Sequence, residues 1–309
     1  MNELTQEIRD LCKEKDALIL AHYYVDEKVQ DIADYIGDSF YLAKVAKSAS
    51  CKTIVFCGVT FMGQSANILS PDKTVLMPDL NAVCPMALMV NAEDIQKMRA
   101  QYDDLAVVCY INSMAEIKAL SDVCVTSSNA LNIVKNLPNK NIFFIPDGNL
   151  GRYIANMCPE KNVILNPGHC HVHSTITADD VERAFNLHPN AQVLVHPECK
   201  EEVCNLADFI GSTKDIIEYS QKSDCTDFII CTELGVIHEM KKRSPEKNFY
   251  AVNSYQICPN MKKVTLEKIR DCLKYNKGEI TVDESLRDLA DSPLERMLEL
   301  GSVPERSLI

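Results

Sequence analysis

Three cysteines stand where a thiol could do more than fill space. Cys84 in DLNAVCPMA, Cys170 in NPGHCHVH and Cys258 in SYQICPNMK lie 86 and 88 residues apart, each in a loop-forming stretch with Pro or Gly beside it. Three thiolates brought to one point would suit a soft metal. Zinc prefers four ligands and could borrow His169, His171 or His173, which flank Cys170. A [4Fe–4S] cube normally takes four cysteines; on three it keeps one iron open to substrate, a Lewis acid able to bind a carboxylate or hydroxyl and assist dehydration. The chain has 14 cysteines and no CxxC pair, and no other cysteine recurs at this spacing. Cys57 in TIVFCG and Cys231 in FIICT sit in apolar runs and read as small buried hydrophobes.

A second set of polar residues keeps a similar period. His22-Tyr23-Tyr24, Tyr110-Ile111-Asn112 and His196-Pro197-Glu198 each end an apolar run, at offsets of 88 and 86. His and Glu can exchange protons with a substrate, and Tyr can donate to a developing oxyanion. Seventeen residues on from the first of each group come Ser39, Ser127 (with Ser128) and Thr213 (with Ser212). Each hydroxyl precedes a helical pattern and reads as an N-cap. Helix N-termini also bind phosphate and carboxylate, so three of them around one cavity would suit a small polyanion without a Lys/Arg cluster. Capping alone remains the simpler account of any one of them.

The elements that must position these residues repeat as well. Segments starting at Leu18, Leu105 and Ala191 align, with Asp34, Asp122 and Asp208 at equivalent places. Ser-Pro-Asp-Lys at 70–73, Cys-Pro-Glu-Lys at 158–161 and Ser-Pro-Glu-Lys at 244–247 follow, each before a short β-type run. Amphipathic helices are predicted at 3–14, 93–101 and 178–187, ahead of each repeat's first strand, and a fourth at 266–275 has no complete repeat after it. Short Val/Ile/Leu/Phe runs alternating with helices mean βα units and parallel sheets. Right-handed crossovers put all strand carboxyl ends on one edge, where ligands bind. The expectation is therefore an α/β protein of three similar domains, each a small parallel sheet in αβα layers, about a pseudo-threefold axis. The domains are expected at 1–87, 88–174 and 175–261, with a tail at 262–309 packing back on the first.

The charge balance narrows the partners. Net charge is −12 over 309 residues, which disfavours a general affinity for nucleic acid or for anionic membrane. Residues 1–15 are too charged for a signal peptide, and no apolar run approaches the ~20 residues of a membrane span. A cytoplasmic location is expected.

The chain resembles the quinolinate synthase family of de novo NAD biosynthesis. The matching motifs are AHYY at 21–24, IGDSFYLAK at 36–44, FMGQSANILSP at 61–71, YINSMAEIKA at 110–119, SSNA at 127–130, PDGNLGRY at 146–153, PGHCHVH at 167–173, HPEC at 196–199, GSTKD at 211–215, CTELG at 231–235 and CPNMK at 258–262. The resemblance implies one [4Fe–4S] cluster on Cys84, Cys170 and Cys258 with an open iron. It implies condensation of iminoaspartate with dihydroxyacetone phosphate to quinolinate, releasing phosphate and two waters. It also implies an upstream L-aspartate oxidase or dehydrogenase as the source of iminoaspartate. The matching substrate positions are His22, Ser39, Tyr110, Asn112, Ser127, His196, Glu198, Ser212 and Thr213. Catalytic roles fall to Glu198 as proton carrier, His196 and Tyr110 as its aids, and His22 and Tyr24 as orienting groups; His173 and Glu233 match weaker motifs. Gly63, Gln64, Gly148 and Asn166 depart from the family pattern. A non-catalytic binder of a phosphorylated metabolite, or a zinc-dependent lyase or hydrolase, are the competing readings from residue types alone.

Overall fold

The computed structural model describes residues 3–302, and an order of eight elements runs through it three times. The first pass is α1 (Glu3–Glu14), β1 (Ala17–His22), α2 (Glu27–Asp31), β2 (Tyr35–Gly37), α3 (Ser39–Ser48), β3 (Thr53–Cys57), α4 (Thr60–Leu69) and β4 (Thr74–Leu76). The second is α5 (Ala92–Gln101), β5 (Leu105–Tyr110), α6 (Ala115–Lys118), β6 (Val123–Val125), α7 (Ala130–Asn136), β7 (Asn141–Ile145), α8 (Gly148–Met157) and β8 (Asn162–Leu165). The third is α9 (Ala178–Leu187), β9 (Gln192–Val195), α10 (Glu201–Cys204), β10 (Phe209–Ile210), α11 (Thr213–Lys222), β11 (Asp227–Cys231), α12 (Val236–Arg243) and β12 (Asn248–Ala251). Two helices follow, α13 (Leu266–Tyr275) and α14 (Glu284–Leu300).

Each pass builds its own four-stranded sheet, ordered β2-β1-β3-β4, β6-β5-β7-β8 and β10-β9-β11-β12. Every pairing is parallel. Strands covered on both faces need no polar alternation, and β5 (LAVVCY) is buried at every position. The α/β class with three similar parallel sheets is therefore as the sequence reads.

The recurrent aspartates have a structural task. β2, β6 and β10 are too short to pair with the whole of the strand beside them. Asp34, Asp122 and Asp208 close the first rung instead, accepting from the N–H of Ile19 (2.8 Å), Val107 (2.7 Å) and Val193 (2.7 Å). Their own N–H groups donate back to the same three residues' carbonyls, each at 2.9 Å. The recurrent lysines act similarly at helix ends. Lys161 Nζ donates to Leu137 O and Asn139 O just past α7, and Lys247 Nζ to Ser220 O and Ser223 O at the end of α11. A cation there satisfies carbonyls that the helix leaves open.

The tail divides. α13 packs on α1 and β3, and Ile280 N–H donates to Val75 O on the edge strand β4 at 2.9 Å. α14 goes further than the first repeat, lying against α4 on one side and α6, β6 and α7 on the other. An ion pair from Lys47 to Glu295 and a bond from Arg296 Nη1 to Asp122 O (3.1 Å) fix it to both. Residues 303–309 of the expected tail, and 1–2 of the first repeat, lie outside the described residues.

The departures from the family pattern are packing solutions. A Cβ on Gly63 would stand 2.4 Å from the Met77 sulfur, and one on Gly148 2.5 Å from Asn166 O. Asn166 occupies that corner by donating to Met89 O (3.0 Å) and Pro146 O (2.7 Å). Gln64 accepts from Ala115 N–H at 3.1 Å, joining α4 to α6. Among the described residues no helix is long and apolar enough to cross a membrane.

Candidate active site

The carboxyl ends of β1, β5 and β9 and the loops after β4, β8 and β12 surround one cavity. His22, Tyr24, Ser39, Tyr110, Asn112, Ser127, His196, Glu198 and Thr213 line it, together with Cys84, Cys170 and Cys258, and so do His173 and Glu233. Ser212 does not. Its hydroxyl is used in capping α11, donating to Asp215 Oδ2 at 2.6 Å and accepting from Asp215 N–H at 3.2 Å.

Two further expected caps fall elsewhere. α3 is capped by Asp38, whose carboxylate accepts from Tyr41 N–H at 2.8 Å, which leaves Ser39 as the first helical residue with its side chain free to face the cavity. α7 begins after Asn129, two residues beyond Ser127, and Asn129 Oδ1 turns back to accept from Thr126 N–H at 2.7 Å. The Asp38 carboxylate takes the cap of α3 and Asn129 stands at the start of α7, so neither Ser39 nor Ser127 is used as a cap.

The three cysteines come from three separate sheets into this cavity, and all 14 cysteines of the chain are free thiols. Each of the three is followed by a short 3₁₀ turn, at Pro85–Leu88, His173–Thr175 and Met261–Lys263. Each sulfur faces backbone N–H groups two or three residues on: Ala87 and Met86 for Cys84, His173 for Cys170, Met261 and Asn260 for Cys258. Burial pushes all three thiols up, Cys84 to about 12, and the loop N–H groups pull the other way. N–H donors aimed at sulfur favour the thiolate, the form that ligates metal. The donor set therefore fits a thiophilic metal group. A smaller set, Cys170 with His173 and Glu198, has ligand atoms within 4.8 Å of one another.

Glu198 is the centre of the polar network. It is buried, and burial by itself would raise its carboxyl; His173 and His196 nearby, with the Tyr110 hydroxyl, hold it well below the usual carboxylate range. Tyr110 Oη donates to Oε1. His173 Nδ1 lies 2.9 Å from Oε2, off the line of a hydrogen bond, and has no other polar partner. On its other side His173 Nε2 meets Thr232 Oγ1 at 2.9 Å. Thr232 in turn meets Tyr24 Oη at 2.9 Å, and Tyr24 Oη meets Thr213 Oγ1 at 2.6 Å. Glu233 accepts from Cys258 N–H (3.0 Å) and pairs with Lys262 Nζ (3.2 Å), so it braces the third cysteine loop. Thr232, Asp38 and Lys262 were not singled out by sequence. For Thr232 the available signal was a hydroxyl directly after a buried strand, inside CTELG.

His22 and His196 share one arrangement. Each ring accepts at Nδ1 from the backbone N–H two residues on, Tyr24 at 3.2 Å and Glu198 at 3.3 Å. The proton of the neutral ring therefore sits on Nε2, which in His196 reaches Ser127 Oγ at 3.2 Å. Burial lowers both rings from 6.5 to about 3, so they act as neutral donors. Below the ordinary value the unfolded chain takes up protons that the folded chain refuses. Their stabilising contribution is complete above pH 6.5 and is lost as pH falls toward about 3. Each ring accounts for up to about 1.4 kcal/mol per pH unit in that window. Denaturant titrations from about pH 7 down to about pH 5 should show this fall, with a slope smaller by about one proton in His196→Gln. An unchanged slope would mean that His196 is not buried neutral.

The sequence profile of the quinolinate synthetase A protein family matches residues 6–299. The quinolinate synthase of Caldicellulosiruptor bescii is 52% identical over 298 residues, covering 96% of this chain and 98% of that one. Those of Fusobacterium nucleatum and Clostridioides difficile are 54% and 48% identical over 95% and 97% of this chain, and each is covered over 98% of its own length. Coverage of this extent takes in every strand of all three sheets, every residue that lines the cavity and all three cysteine loops, and on it the chain belongs to the quinolinate synthetase A family.

Proposed function

We propose that this protein is a quinolinate synthase that condenses iminoaspartate with dihydroxyacetone phosphate, releasing phosphate and two waters. Cys84, Cys170 and Cys258 would hold one [4Fe–4S] cluster, one thiolate from each of three domains, 1–87, 88–174 and 175–261, set about a pseudo-threefold axis. When bound, the cluster supplies an iron without a protein ligand, a Lewis acid suited to the dehydration. The observation that carries the reading is the convergence of three equivalent cysteine loops on the cavity that Glu198, Tyr110 and the two neutral histidines also line.

The side chains divide the remaining work. The substrates carry carboxylates and a phosphate, yet among the described residues no Lys or Arg lines the cavity. Hydrogen-bond donors serve instead: the N-terminal amides and hydroxyls of α3 at Ser39 and α11 at Thr213, with Ser127 and Asn112. Nε2–H of His22 and of His196 orient substrate oxygens without adding charge. Glu198 is ionised at rest and accepts the proton that leaves during tautomerisation. The Tyr110 bond makes it a weak base until that hydroxyl turns to a substrate oxygen, which strengthens the carboxylate at the moment it is needed. Tyr24, held by Thr213 and Thr232, fixes the far wall. Free thiols throughout and an air-sensitive cluster suit the cytoplasm, and an L-aspartate oxidase or dehydrogenase would supply iminoaspartate.

The close Cys170, His173 and Glu198 group favours a second reading, a zinc-dependent enzyme. The test is product formation: protein purified without oxygen should make quinolinate only when both substrates are present. No quinolinate from fully metal-loaded protein would overturn the proposal.

A further inference from the structure

Thr232 lies one residue past β11 and is fully buried, yet its hydroxyl joins groups from all three sheets. Its backbone is fixed independently: Gln256 Nε2 donates to Thr232 O and to Ile230 O, both at 2.8 Å. The side chain is thus free of any task in holding the loop. Its oxygen stands 2.9 Å from His173 Nε2 and 2.9 Å from Tyr24 Oη.

A hydroxyl has one proton to give, so it can donate to only one of these neighbours. The direction is set at the other end of the chain of contacts. His173 Nδ1 lies 2.9 Å from a Glu198 carboxylate oxygen, off the line of a hydrogen bond, and at that distance the carboxylate's charge favours a proton on Nδ1 over a bare nitrogen. The ring proton therefore belongs on Nδ1. Nε2 is then an acceptor, Thr232 must donate to it, and Tyr24 must donate to Thr232. Thr213 completes the order by donating to Tyr24, whose oxygen is 2.6 Å away.

We propose that Thr232 is a positioning residue for the condensation: its hydroxyl holds His173 as the Nδ1–H tautomer facing Glu198 and orders the hydroxyls of Thr213 and Tyr24 toward that carboxylate. The proposal rests on the quinolinate-forming reading above. Without the hydroxyl, His173 can carry its proton on Nε2 and turn a lone pair to Glu198, and Tyr24 loses its acceptor. A ring in the wrong tautomer fails although every heavy atom stays in place.

The test uses cluster-loaded protein. Thr232→Val keeps the shape and removes the hydroxyl; Thr232→Ser keeps the hydroxyl and removes the methyl. Thr232→Val should lose about ten- to a hundredfold in kcat with KM nearly unchanged, and Thr232→Ser should stay within about threefold of the unsubstituted enzyme. Equal activity in Thr232→Val, or equal losses in both, would overturn the proposal. Nitrogen-15 spectra of histidine-labelled unsubstituted enzyme give a second test that needs no valine variant. His173, assigned by its loss in His173→Gln, should show a protonated Nδ1 and a bare Nε2; the reverse pattern would overturn the proposal. An unsubstituted enzyme that makes no quinolinate would instead remove the reading on which the proposal rests.

Discussion

Serine in place of Cys84, Cys170 or Cys258 is expected to leave anaerobically purified protein with little of its iron and sulfide. Serine keeps the size of the side chain, but its alkoxide is a hard ligand and its hydroxyl does not ionise near neutral pH. No other thiol lines the cavity, so none can replace the lost one. Each sulfur also sits in its own loop with N–H donors aimed at it, and those donors would face a neutral hydroxyl instead. The contrast is with Cys57 and Cys231, which are fully buried in the apolar cores, and with Cys109, which is fully buried beside Cys124, Lys118, Ser113 and Ser121. Alanine at any of these should cost about 1 kcal/mol of stability through a small void and leave metal content near normal. Tolerance of serine at two of the three cavity positions would show that the loops do not share a cluster.

Glu198→Gln should keep the cluster and lose about two or more orders of magnitude in turnover. The amide still accepts a bond from Tyr110, but it cannot take up a full proton. A residue just before α10 could have been a helix cap, and a capping role would leave turnover intact. The geometry speaks against it: α10 has no side-chain cap bond, and the Glu198 carboxylate turns to Tyr110 and His173 instead. Removing one half of a buried charged contact also weakens the fold, so stability and cluster content must be measured beside turnover. Quinolinate formation at close to the ordinary rate by fully loaded Glu198→Gln would take this residue out of the proton transfers.

Much of this arrangement is legible in the sequence because it is written there three times. One apolar run ending in His22 is ambiguous; three runs ending at His22, Tyr110 and His196, each followed at equal distance by Asp34, Asp122 and Asp208, define the same strand and the same turn. The cysteine loops become visible by the same comparison. What the repeats hide is detail of one or two residues at a helix start. Whether Asp38 or Ser39 caps α3 depends on loop dihedrals, as does the choice between Asn129 and Ser127, and residue type favours all four. Thr232 escapes because a hydroxyl after a strand has many possible partners, and its own, Tyr24 and His173, are distant in sequence. α14 shows the same limit: its apolar stripe says that a face is covered, not that α4 and α6 cover it together.

Iron and sulfide analysis of the unsubstituted protein, purified without oxygen, bears most directly on the convergence of the three thiols. Brown protein with about four irons and four sulfides per chain, bleached by air, is the expected result. Stoichiometric zinc without sulfide would contradict it and favour the zinc-dependent reading, for which Cys170, His173 and Glu198 form a candidate ligand set.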